Sequence, residues 1–211
     1  VIPAHELESI AGLCRSKHWR LIADEIYHGL SYGVETPSVL SFAPDAIVVN
    51  SFSKYFSMTG WRIGWMIVPE TMVRTVERLA QNLFISPPAI SQFAALGALT
   101  ADARTELDGH VKAYWRNRNV LAMALKAGGI SSIAPADGAF YLYAHVGDMT
   151  VDSRVLASEL LSETGVAATP GWDFDPDGGG AWLRLSYAGA ESDIREASGI
   201  LSSWLSHRPR R

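Results

Sequence analysis

Apolar residues along this chain fall into two alternating textures. Leu7, Ile10, Ala11 and Cys14 recur at helical spacing behind Pro3, whose fixed φ suits the first turn of a helix. Three short, nearly continuous apolar runs follow: WRLIADEIY (19–27), DAIVVNSFSK (45–54) and WRIGWMIV (61–68). None shows the strict alternation of a half-solvated strand, so they predict covered strands in a largely parallel sheet. Met72, Val73, Val76, Leu79, Ala80 and Leu83 form a second helical stripe that Pro87-Pro88 breaks, and helices are predicted over 89–101 and 104–127. Gly128-Gly129 then marks a change. Short strands (GAFYLYAHV, 138–146, and WLRLSYA, 182–188) alternate with helices at about 152–164 and 191–205. The predicted class is α/β: a mostly parallel, three-layer α/β/α part over 1–103, then a small α+β domain over 104–211 that includes the connecting helix. No internal repeat is evident.

Composition narrows the function. With 211 residues, 48% of them hydrophobic, the chain is long enough for one large domain or two small ones. A net charge of −4 argues against a nucleic-acid partner. The one basic cluster, Arg208, Arg210 and Arg211, reads as a solvated end. Cys14 is the single cysteine, which excludes an internal disulfide and suits a reducing cytoplasm. It lies in the apolar stripe of the first helix and reads as a packing residue. No apolar run approaches the roughly 20 residues of a membrane span, and no signal peptide is read at the start. The six histidines lack paired ligand spacing, so no metal is expected.

The chemistry concentrates in SFSKYFSMTGWRIGW (51–65), a mostly apolar stretch with two cations, Lys54 and Arg62, that no neighbouring acid neutralises. In open α/β sheets, ligands gather at the carboxyl ends of strands. Asp24, Glu25 and Tyr27 stand at one predicted strand end, and Ser51, Ser53 and Lys54 at the next. An amine, a carboxylate, a phenol, hydroxyls and the donor fork of Arg62 are the parts that pyridoxal 5′-phosphate requires.

Asp24-Glu25-Ile26-Tyr27, Ser51-Phe52-Ser53-Lys54 and Gly60-Trp61-Arg62-Ile63-Gly64-Trp65 resemble the cofactor-binding blocks of class I/II (fold type I) aminotransferases. Thr169-Pro170-Gly171 and Leu183-Arg184-Leu185-Ser186 resemble two later blocks, and all five occur in the family's order. The resemblance implies that Lys54 forms the Schiff base with pyridoxal phosphate and moves the substrate Cα proton. It implies that Asp24 keeps the pyridine nitrogen protonated, Tyr27 bonds the ring oxygen, Ser51 and Arg62 hold the phosphate, and Arg184 pairs with the substrate carboxylate. An amino acid and a 2-oxo acid are then the partners, in a homodimer when the protein is full length. Enzymes of this family are longer, and an amino-terminal half with its phosphate loop and ring-stacking aromatic is expected ahead of Val1. The chain thus resembles the carboxy-terminal half, one that by itself is expected to be inactive.

Two other functions fit these residues. A lyase, decarboxylase or synthase would use the same lysine and aspartate. A non-catalytic effector module of a transcription regulator would keep the fold and add a basic segment upstream. Several neighbours have plainer readings. Ser53 caps the turn before the lysine, and Trp61 and Trp65 pack the core. Strand alternation turns His28 away from Tyr27. Tyr32 and Phe140 pack rather than line a pocket.

Overall fold

The computed structural model describes residues 1–210, which divide into two compact units, Val1–Val111 and a second from Lys112 onward. Among the described residues, no helix is long and apolar enough to cross a membrane.

The first unit is built on a three-stranded sheet of order β1-β2-β3: β1 (Ile22–Asp24), β2 (Ile47–Ser51) and β3 (Gly64–Ile67). β1 and β2 are parallel, with Asp24 opposite Val49. β3 returns antiparallel, with Ser51 opposite Gly64. Helix α1 (Ala4–Ser16) starts just after Pro3 and buries Ala11 in a cluster with Val39, Ala43, Ala46 and Val48, against which Leu7 and Ala23 pack. α2 (Glu70–Leu83) and α3 (Ala89–Ala98) each begin behind a proline, Pro69 and Pro88. α3 contributes Ala95 to a second cluster with Phe52 and Met58. α4 (Ala101–Ala127) is the long helix and runs across the division between the units.

The second unit holds an antiparallel sheet of order β4-β6-β5: β4 (Tyr141–His145), β5 (Thr169–Pro170) and β6 (Trp182–Ser186). Leu142 pairs with Leu185 and Ala144 with Leu183, so one face is apolar and buried. Leu121 and Leu125 of α4, Leu156 and Leu160 of α5 (Ser153–Thr164), and Leu201 and Leu205 of α6 (Glu191–Ser206) are buried as well. Asp152 caps α5 through the Arg154 N–H, and Gly165 ends it in the left-handed conformation glycine favours.

The structure departs from the sequence reading in several places; β3, for one, is antiparallel and exposed along its whole length where a covered strand is expected. The first predicted strand ends at Asp24, because the Asp24 carboxylate accepts the Ile26 N–H at 3.0 Å and turns the chain. The third begins only at Gly64, since Arg62 adopts left-handed backbone, φ 51°, which no strand accommodates. Trp61 and Trp65 are 42% and 37% exposed rather than core, although the Trp65 ring meets Phe52 edge-on at 5.0 Å. The tail stays exposed at Arg210 but is tied back: Arg208 pairs with Glu159 and Glu163 of α5, and Arg210 donates to the Gly128 and Gly129 carbonyls just beyond α4. Arg211 lies outside the described residues.

Candidate functional site

Because β1 and β2 run parallel, Asp24 and Ser51 finish at the same edge of the sheet. Asp24 is exposed there. The neighbouring acid Glu25 is buried and structurally committed: Oε1 accepts from the Ser38 hydroxyl at 3.0 Å and the Val39 N–H at 2.8 Å, and Oε2 lies 3.4 Å from His28 Nδ1. The DEIY block therefore offers one acid to the rim and keeps the other for the fold.

Tyr27 sits in the turn beyond β1, where the His28 N–H donates to the Glu25 carbonyl and the Leu30 N–H to that of Tyr27. Strand alternation does not operate there, so it does not explain the position of His28; its contact with Glu25 does. Lys54 lies half-buried in the loop after β2, its Nζ 5.7 Å from the centre of the Tyr27 ring. That distance suits a cation held against an aromatic face.

The Ser51 hydroxyl lies 3.1 Å from the Ile63 carbonyl and 2.9 Å from Ser53 Oγ, and it accepts the Ser53 N–H at 3.0 Å. This small hydroxyl cluster ties the end of β2 to the residue after Arg62. Arg62 Nη1 donates to the Thr59 carbonyl at 2.9 Å, and the residue is exposed. Left-handed backbone at a residue other than glycine carries a conformational cost, and such outliers concentrate where a ligand is gripped. Asp24, Tyr27, Ser51, Lys54 and Arg62 all belong to the first unit.

Arg184 belongs to the second. It stands opposite Tyr143 and Thr169 on the face of β6 away from Leu183 and Leu185, which are 2% and 4% exposed. Its guanidinium carbon lies 4.3 Å from the Phe174 ring centre and 5.4 Å from that of Tyr141, and Nη2 reaches Thr169 Oγ1 at 3.4 Å. Two aromatic rings thus lie within cation–π distance of the fork. Strand spacing could not reveal Phe174, which lies in the irregular loop DFDPDGGG between β5 and β6. In the same sheet Tyr143 stacks on Trp182 at 4.8 Å, and its phenol is pushed up by burial and then by the charge of Asp175.

The family profile described as aminotransferase class I and II matches residues 1–201. The chain belongs to that family. It is 48% identical over 97% of its length to the valine–pyruvate aminotransferase of Mycobacterium tuberculosis. It is 37% identical over 93% of its length to the aspartate/prephenate aminotransferase of Thermus thermophilus. It spans about half of each: 53% and 51%. The crystal structure of an aminotransferase from M. tuberculosis superposes with a TM-score of 0.94 at 48% identity, covering 97% of this chain and 54% of that one. The α/β class read from the hydrophobic pattern is the class of this aminotransferase family, and β3, the antiparallel strand, belongs to the matched region.

Proposed function

We propose that the natural-length protein catalyses amino transfer between an amino acid and a 2-oxo acid with pyridoxal phosphate. The observation that carries this reading is the juxtaposition of Lys54 and Tyr27 on the strand-end rim that also holds Asp24, Ser51 and Arg62. The donor set fits the cofactor group by group. Lys54 is the amine for its aldehyde, Asp24 the carboxylate for its ring nitrogen, Tyr27 the phenol for its ring oxygen. Ser51 and Arg62 are the hydroxyl and fork for its phosphate. When bound, pyridoxal phosphate supplies an electron-withdrawing ring that makes the substrate Cα–H acidic. Lys54 Nζ would take that proton from the substrate Cα and pass it to the cofactor carbon, and Arg184 would grip the substrate carboxylate in a bidentate pair.

Residues 1–103 form the carboxy-terminal part of the large, cofactor-binding domain in this reading, and 104–211 the small domain. The protein is a cytoplasmic homodimer at natural length, which a single cysteine and a sheet with exposed apolar strands suit. The name of the M. tuberculosis relative makes valine and pyruvate the first substrate pair to try. The test is formation of the 2-oxo acid from the donor amino acid with and without an acceptor. Turnover that requires the acceptor supports transamination. Sustained turnover without it would replace transamination with a lyase or decarboxylase.

A further inference from the structure

The residue after the lysine is fixed from two sides. Tyr55 Oη donates to Asp108 Oδ1 of α4 at 2.6 Å. Its ring lies on Gly29, in the turn that carries Tyr27: a first side-chain carbon there would stand 2.7 Å from Tyr55 Cδ2. Gly29 has φ +90°, so both its backbone and its missing side chain admit the ring. A second tie runs parallel. The Ser57 N–H donates to the Lys54 carbonyl at 3.0 Å, while the Ser57 hydroxyl faces His110 Nδ1 of α4 at 3.5 Å.

We propose that Tyr55, held by Asp108, is a positioning residue that keeps the Lys54 amine over Tyr27. The inference rests on the reading of Lys54 as the cofactor lysine. A lysine carries its amine on a flexible stem, so its placement depends on a backbone that does not drift. Tyr55 makes the lysine loop, the Tyr27 turn and α4 share one ring. Burial first, and then the Asp108 hydrogen bond, push its phenol up to about 12, so it remains a donor across the whole working range.

The experiment compares Tyr55→Phe, Asp108→Ala, Asp108→Asn and the Tyr55→Phe/Asp108→Ala double variant in the natural-length protein. Three quantities are read: the pH midpoint of the visible absorbance of the cofactor-loaded protein, the Kd of the apo form for pyridoxal phosphate, and kcat apart from KM. We expect Tyr55→Phe and Asp108→Ala each to lower kcat about tenfold with KM little changed. Both should move the absorbance midpoint in the same direction and weaken pyridoxal phosphate binding. The double variant should be no worse than the poorer single one, because the two groups act as a unit. Asp108→Asn keeps an acceptor oxygen and should recover most of the loss. If the variants melt earlier but midpoint, affinity and kcat stay put, Tyr55 only braces the fold and the proposal is overturned. An unaltered protein with no lysine-dependent visible absorbance would instead remove the Lys54 reading, and this inference with it.

Discussion

The two units of the chain finish their cores to different degrees. In the second, apolar residues of β4 and β6 alternate inward, and α4, α5 and α6 all bury leucines. In the first, α2 buries none of its residues although its apolar positions recur at helical spacing, and Leu79 and Leu83 are 57% and 78% exposed. Every residue of β3 is exposed, Trp65, Met66 and Ile67 among them. An apolar stripe at regular spacing is sequence written for a partner surface. The unit that carries five of the six candidate residues is thus the one whose core this chain leaves open. The closed unit carries Arg184. In the proposed reading, cofactor chemistry belongs to the first unit and substrate recognition to the second, and mutations should separate them.

The largest expected effect is Lys54→Ala. In the natural-length protein it should remove the lysine-dependent absorbance and lower turnover by at least about 10²–10⁴-fold, the range for a positioned proton-transfer group. Arg184→Ala comes next. It should cost on the order of 2–5 kcal/mol in kcat/KM, as for truncating one partner of a buried charge pair, while cofactor absorbance stays intact. Lysine should restore little there, since it lacks the fork. Loss of the cofactor from the Arg184→Ala protein would erase the division of labour.

Packing supplies the third comparison. In the 211-residue chain, denaturant titration of Leu160→Ala should show a loss of about 2–5 kcal/mol, because Leu160 is fully buried in the closed unit. Leu79→Ala on the open face of α2 should stay within about 0.5 kcal/mol. Equal losses would mean that the α2 stripe is covered after all. The smallest effect is alkaline. The phenol of Tyr55 sits at about 12 against an ordinary 10.0, so the folded state favours its protonated form. That stabilisation is whole below pH 10 and drains away as pH rises toward 12. The melting-temperature gap between the unaltered protein and Tyr55→Phe should shrink across that window. A constant gap would show that the hydrogen bond to Asp108 carries no linked proton.

Periodicity read some of this molecule well. Leu183 and Leu185 flank Arg184, and strand alternation alone sends its side chain to the other face, where it lies. The helices from α1 to α6 follow their stripes, prolines and glycines closely. Alternation failed at Tyr27 and His28 because the strand stops where Asp24 captures a backbone N–H, a local event that a hydrophobic run does not record. Glu25 looked equivalent to Asp24 until its partners Ser38 and Val39 were placed beside it. Tyr55 and Asp108 are 53 positions apart, and nothing in either segment announces the other. The ties of Arg208 and Arg210 are invisible in the sequence for the same reason: their acceptors lie on α5 and just past α4, far back along the chain. Spacing along one element is legible in a sequence, whereas pairing between distant elements needs the fold.

The most direct test of the central claim is chemical. The natural-length protein, loaded with pyridoxal phosphate, is treated with borohydride, digested, and its peptides are weighed. The chain has four lysines, Lys17, Lys54, Lys112 and Lys126, so the answer is discrete. We expect the cofactor's added mass on the peptide containing Lys54 and on no other lysine. Its appearance on Lys17, Lys112 or Lys126, or on none of the four, would contradict the assignment of this rim as the cofactor site.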